Sequence, residues 1–174
     1  MMLALLGSSL QSKVLRRCAR GMAVLAVCAL PALAAVQAAE KPDSSYVPDV
    51  GQEGKDVVWV PTPQTLVDKM IDMAKAAPGD TLIDLGSGDG RLVITAAQRG
   101  IKAHGIEYNP EMVELARRNA QVAGVSGRAT FAKADLFETD LSGASVITLF
   151  LLPTINEKLR PHLLDLKPGT RVVS

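Results

Sequence analysis

A strand that breaks into glycines and resumes as a helix limits what this chain can fold into more than any other feature. Thr81-Leu82-Ile83-Asp84-Leu85 reads as a short apolar strand. Gly86-Ser87-Gly88-Asp89-Gly90-Arg91 reads as a loop, and a helix starting near Gly90 presents Leu92, Val93, Ala96 and Ala97 on one face before Gly100 ends it. Glycine at 86 and 88 permits backbone conformations that other residues resist and lets a ligand approach the main chain closely. A tight strand-to-helix turn with no ligand fits the same residues, so the loop alone does not define a site.

The surroundings repeat the pattern. Thr62-Pro63 has the form of an N-cap with proline at the first helical position, ahead of Leu66, Val67, Met70, Ile71 and Ala74 at helical spacing. Ala77-Pro78-Gly79-Asp80 is a turn. Lys102 to Glu107 is a second strand, and Asn109-Pro110 precedes a helix over Glu111 to Ala123 closed by Gly124. Ala129 to Ala134 is a third strand. Val146 to Leu151, nearly all apolar, is a fourth with both faces covered. Thr154 stands where it would cap a further helix, which Pro161 should kink or split. Arg171 to Ser174 begins a fifth strand after the turn Lys167-Pro168-Gly169. This alternation predicts an α/β fold with right-handed crossovers and a doubly wound, mostly parallel sheet. Ligands bind such sheets at the carboxyl ends of the strands, which brings Gly86 to Gly90, Glu107, Asp135 and Leu152-Pro153 to one rim.

Two acids on that rim suggest the ligand. Glu107 ends the second strand, where a carboxylate can accept hydrogen bonds from both hydroxyls of a ribose. A solvated strand-end acid is the plainer alternative. Asp135, in Lys133-Ala134-Asp135-Leu136-Phe137, can accept a bond from an exocyclic adenine amine while Leu136 or Phe137 packs on the ring; a turn cap is the plainer reading. A dinucleotide fingerprint requires glycine five positions after the first, and that position, counted from Gly86, is Arg91. S-adenosylmethionine (SAM) has no pyrophosphate to cradle. Asp84 would be awkward beside a pyrophosphate and helpful beside the cationic amino and sulfonium end of SAM. An NAD-linked oxidoreductase is therefore disfavoured.

Charge narrows the partners. The net charge of +1 hides an asymmetry: residues 1–39 hold Lys13, Arg16, Arg17 and Arg20 and no acid, leaving fifteen basic against eighteen acidic residues in the remainder. With aromatic content of only 3%, neither a basic face nor stacking platforms for nucleic acid are expected. Both cysteines, Cys18 and Cys28, precede residue 40, so the body has no disulfide framework, thiolate metal site or thiol nucleophile, and no metal is expected. The two histidines, His104 and His162, are far apart in sequence.

Arg16-Arg17-Cys18-Ala19-Arg20, the apolar run Met22 to Val36 and small residues around Ala38-Ala39 have the layout of a secretory signal. Residues 1–39 are expected to be a cleaved signal peptide or, second, an uncleaved anchor, which alone would touch a membrane. That puts the following domain in the periplasm or outside the cell, or holds it at the membrane. The arginines also suit a mitochondrial targeting segment. Residues 40–56 are polar and rich in Pro and Gly and read as a linker; the folded domain is expected over 57–174.

Asp84-Leu-Gly-Ser-Gly-Asp-Gly-Arg91, Gly105-Ile-Glu107 and Ala134-Asp135-Leu136 resemble the SAM-binding motifs of class I (seven-strand, Rossmann-like) methyltransferases. Val58-Trp-Val-Pro-Thr-Pro63, Phe150-Leu-Leu-Pro153 and Lys158-Leu-Arg-Pro161 narrow the resemblance to a small bacterial group related to eukaryotic mitochondrial protein-lysine methyltransferases. The resemblance implies that Gly86 and Gly88 line the methionine part of SAM with Asp84 nearby, that Glu107 holds the ribose, and that Asp135 and Leu136 hold the adenine. Val60 to Pro63 would close over the cofactor or shape the substrate entrance. Phe150 to Pro153 takes the place of a substrate-amine motif but offers no polar side chain. The expected cofactor-binding set is thus Asp84, Gly86, Ser87, Gly88, Glu107, Asp135 and Leu136. No catalytic base is assigned: Asp89 is open between a polar pocket role and an acid complementing the helix dipole. A Rossmann-like sheet of this family has seven strands, so this one is expected to be C-terminally truncated within the fifth strand. The expected function is methyl transfer from SAM to an unidentified acceptor, with protein lysine the class implied; the alternative is a non-catalytic SAM- or adenosine-binding module.

Overall fold

A computed structural model describes residues 45–174. The signal or anchor reading of 1–39 and the first residues of the 40–56 segment lie outside the described residues. Five strands, β1 (Thr81–Leu85), β2 (Lys102–Glu107), β3 (Ala129–Lys133), β4 (Val146–Leu149) and β5 (Arg171–Val173), form one sheet in the order β3-β2-β1-β4-β5. Every pairing is parallel. Four helices connect or flank them: α1 (Gln64–Met73), α2 (Arg91–Gln98), α3 (Pro110–Val122) and α4 (Pro153–Leu164).

Strand order explains where the helices lie. The chain moves outward from β1 through β2 to β3, then returns to the other side of β1 and moves outward again. Right-handed crossovers then require α2 and α3 on one face and α4 on the other. The two cores follow this division. Val67, Ile71, Leu92, Val93, Val113 and Phe131 pack with Leu82 on one face, and Ile155 and Leu159 pack with Ile83, Leu85 and Ile147 on the other. The direction of winding reverses between β1 and β4, which opens a crevice at their carboxyl ends. Among the described residues no helix is long and apolar enough to cross a membrane.

Several element ends differ from those expected. Pro63, rather than Thr62, occupies the N-cap of α1, which has no side-chain cap. The Pro63 carbonyl accepts from the amides of Leu66 and Val67, and the Thr62 carbonyl instead accepts from Arg91 Nη1 at 2.9 Å. In α4, Pro153 takes the first helical position after Leu152, so Thr154 lies within the first turn and caps nothing. Pro161 does not split α4: it lies near the end of the helix, and the carbonyl that loses a donor belongs to exposed Glu157, which meets water. β3 stops at Lys133 and β4 at Leu149. The Asn109 cap is formed as expected, its side chain accepting from the amides of Glu111 and Met112.

Within the stretch read as a linker the backbone folds back on itself. Gly51 N–H donates to the Trp59 carbonyl at 2.8 Å and Trp59 N–H to the Gln52 carbonyl at 2.9 Å, with Glu53 bridged antiparallel to Val58. This hairpin runs directly into the Pro61-Thr62-Pro63 root of α1.

Candidate functional site: the carboxyl rim of the sheet

The glycine loop leaves β1 with three left-handed residues, Gly86 (φ 75°), Gly88 (φ 53°) and Gly90 (φ 83°). Space as well as φ demands glycine at 88 and 90. A Cβ on Gly88 would meet Trp59 Nε1 at 2.7 Å, and one on Gly90 would meet Phe131 Cζ at 2.7 Å and Ala116 Cβ at 2.8 Å. The loop is pinned from two sides. Gly88 N–H donates to Glu107 Oε2 at 3.0 Å. Arg91 grips Asp89 through Nε and Nη2, at 3.0 and 2.6 Å, while its Nη1 reaches the Thr62 carbonyl. Asp89 is thus committed to Arg91 and to the start of α2, while its carbonyl accepts from Asn119 Nδ2 at 2.9 Å.

Glu107 sits at the end of β2 with each oxygen already engaged, Oε1 by the Asn109 amide at 2.9 Å and Oε2 by Gly88. An ionised carboxylate offers about four acceptor positions, so two remain for a diol. Asp135 follows β3. Its Oδ1 accepts from the Phe137 amide at 2.9 Å, and its Oδ2 pairs with Lys55 Nζ from the hairpin. The Lys55 ammonium and the Phe137 amide hold the Asp135 carboxyl below the usual carboxylate range.

Asp84 is different. It is buried beneath the rim, beside Thr148 of β4 in the parallel register, and accepts a 2.7 Å hydrogen bond from Thr148 Oγ1. Burial pushes its carboxyl up to about 7; the Thr148 hydroxyl opposes the shift, and the negative charges of Glu107 and Asp89 add to it. Ser87 is buried too, with its hydroxyl turned toward Gly105, where a Cβ would come within 2.5 Å of it, and with no hydrogen-bond partner among the described residues.

A cavity with about 800 Å³ of empty space, part of it open to solvent, lies against this rim. Four of the seven sequence-derived residues line it: Gly86, Glu107, Asp135 and Leu136. Asp84, Ser87 and Gly88 stand behind that wall, with Gly88 covered by the Trp59 ring. The hairpin adds Lys55, Trp59 and Val60 to the lining, Tyr108 lies at the end where Lys55 meets Asp135, and Met112 lies near Gly88. Val60 belongs to the segment expected to close over the cofactor, whereas Lys55, Trp59, Tyr108 and Met112 were not singled out as ligand contacts by the sequence. Trp59, the one tryptophan in an aromatic-poor chain, and Tyr108, next to Glu107, carried the available signal. Phe150, Leu151 and Ile155 make the end beyond Gly86 apolar.

The donor and acceptor set suits an adenosine-type group. Glu107 and Asp135 offer carboxylate acceptors, Leu136 and Tyr108 offer apolar faces, and Gly86 adds backbone with no side chain of its own. Among the described residues no cluster of side chains suits a metal ion. A five-stranded parallel sheet with this loop and these strand-end acids defines the class of SAM-dependent, Rossmann-like methyltransferases.

Comparison with known proteins gives the particular family: residues 84–174 match the ANTKMT methyltransferase domain, and the chain belongs to that family. It is 47% identical to a protein-lysine N-methyltransferase of Saccharolobus islandicus (strain REY15A), over 75% of this chain and 78% of that protein. It is 38% identical to the adenine nucleotide translocase lysine N-methyltransferase of Mus musculus over 62% of this chain, spanning about half (48%) of the mouse enzyme's length. The crystal structure of an RNA methyltransferase from Salinibacter ruber, in complex with S-adenosyl-L-homocysteine (SAH), is 51% identical and superposes with a TM-score of 0.63, covering 65% of this chain and 75% of that one.

Proposed function

We propose that this chain binds SAM along the carboxyl rim and transfers its methyl group to the side-chain amine of a protein lysine. The single observation that carries the reading is the convergence of Gly86, Glu107 and Asp135 on one cavity with an apolar exit past Phe150 and Leu151. Lysine as acceptor is supported by the Saccharolobus and mouse relatives, both lysine N-methyltransferases.

Bound there, SAM supplies a methyl group carried on a sulfonium. Glu107 accepts the ribose hydroxyls through its remaining lone pairs, and Asp135 accepts the adenine amine with Leu136 against the ring. Asp84, ionised once pH rises above about 7, would place a negative charge behind the cavity wall that favours a cationic methionine end. Phe150 and Leu151, which line the apolar end, exclude water from the line of transfer and hold no base, so the acceptor amine sheds its proton to solvent before it enters. Catalysis on this reading rests on positioning and exclusion of water.

The test incubates the chain with methyl-labelled SAM and a cell extract, then separates protein from RNA. Label in protein, recovered as methyllysine after hydrolysis, is the expected result. Label in RNA alone would favour a second reading, an RNA acceptor, which the 51% identity to the Salinibacter ruber structure supports and the acidic excess after residue 39 opposes. SAM binding with no transfer to any fraction would leave a binding module. The reading includes export of the domain by residues 1–39, cleaved or retained as an anchor; cell fractionation that finds the chain only in the cytoplasm refutes that part.

A further inference from the structure

We propose that Lys55 is a latch: in the empty protein its ammonium occupies the adenine end of the cavity and must be displaced for the cofactor to enter. The inference rests on the SAM-site reading above. Lys55 sits at the turn of the hairpin, where Gly54 N–H donates to the Val57 carbonyl at 2.9 Å. Its Nζ pairs with Asp135 Oδ2 and lies 4.8 Å from the centroid of the Tyr108 ring. Lys55, Asp135 and Tyr108 all line the cavity.

The ammonium therefore satisfies the two groups that an adenine would use, the carboxylate that accepts its exocyclic amine and an aromatic face on which its ring can pack. An N–H donor of the chain's own takes the place of the ligand's donor, and a cation over a ring takes the place of a stacked base. The pair is partly exposed, with 36% of the lysine and 19% of the aspartate side-chain surface accessible, so the latch is weak enough for a ligand to open. It also closes the hairpin from its far end, since the near end is held by Trp59 on Gly88 and by Arg91 on the Thr62 carbonyl. Cofactor entry on this account breaks the Lys55 contacts and leaves the Thr62 anchor intact.

Trp59, the only tryptophan, reports on the hairpin. Its fluorescence is titrated with SAH in the full chain, as wild type, Lys55→Met and Lys55→Arg, at low salt and in 0.5 M NaCl. The latch predicts that Lys55→Met binds SAH about threefold tighter, the order expected when an exposed ion pair no longer competes. It also predicts that salt tightens wild-type binding but leaves Lys55→Met unchanged. Lys55→Arg should behave as wild type. In the ligand-free proteins, amides of residues 51–59 should exchange hydrogen faster in Lys55→Met than in wild type. Equal or weaker SAH binding by Lys55→Met overturns the latch alone, and so does unaltered exchange in the ligand-free variant. A wild-type chain that does not bind SAH at all overturns the cofactor reading, and the latch with it.

Discussion

Replacing Asp84 with asparagine should change how stability depends on pH, and the size of the change follows from its burial. The Asp84 carboxyl titrates near 3.8 in an unfolded chain and at about 7 in the folded one, first because it is buried and second because Glu107 and Asp89 are negative. The folded state therefore holds a proton on Asp84 through a window in which the unfolded state has lost it. Stability is favoured at the acid end of that window and declines as pH rises from about 4 to about 7. Above the folded value the full penalty applies, about 4 kcal/mol for a shift of this size, whereas at pH 5 less than half of it has accrued. Asparagine keeps an acceptor for Thr148 Oγ1 and never ionises. It carries its own cost, a buried amide N–H, but that cost is the same at both pH values. The stability difference between Asp84→Asn and wild type should thus move in favour of the variant by about 3 kcal/mol between pH 5 and pH 8. Urea denaturation of both proteins at the two pH values measures it, and titrating groups that do not feel the Asp84 charge cancel in the difference. A difference that is the same at pH 5 and pH 8 would refute the argument that Asp84 is desolvated. The same variant should bind SAM more weakly at pH 8, because the negative charge behind the cavity wall is gone.

Further outcomes follow from the packing around the loop. Glu107→Ala removes the acceptor of the Gly88 and Asn109 amides as well as the proposed diol contact, so calorimetric titration should find SAM affinity lowered by at least tenfold while circular dichroism still reports a folded chain. Gly90→Ala places a methyl 2.7 Å from Phe131 Cζ at a φ of 83°, and overpacking with backbone strain should cost about 2–5 kcal/mol in chemical denaturation. Asn109→Ala removes the cap of α3 and should cost about 1 kcal/mol in the same assay.

Elements set by local chemistry were legible in the sequence. Apolar alternation and punctuation located the strands and the faces of α2 and α3, and Asn109-Pro110 fixed a helix start. The helix starts that differed are those where proline overrode a capping side chain: Pro63 took the cap from Thr62, and Pro153 began α4 ahead of Thr154. The rim acids Glu107 and Asp135 were legible because of where they stand, one ending a strand and the other just past one. The hairpin was not. Residues 51–59 carry no hydrophobic period, and what orders them is distant in sequence: Lys55 meets Asp135 eighty residues away, and the Trp59 ring rests on a glycine that only the folded loop exposes. Nor does spacing tell a lining residue from a supporting one, which is why Ser87 and Asp84 stand among the loop residues in the sequence yet lie behind the cavity wall.

Arg91 closes the glycine loop at the position where a dinucleotide fold would have its third glycine, and its guanidinium is shared between Asp89 and the Thr62 carbonyl. Seen as a mechanical part, it fixes the pivot of the hairpin. Pro61 and Pro63 restrict the backbone on either side of the anchored carbonyl, so rotation is confined to residues before Pro61. Any opening of the site is then a short swing of about ten residues about a fixed root, with α1 and the sheet unmoved.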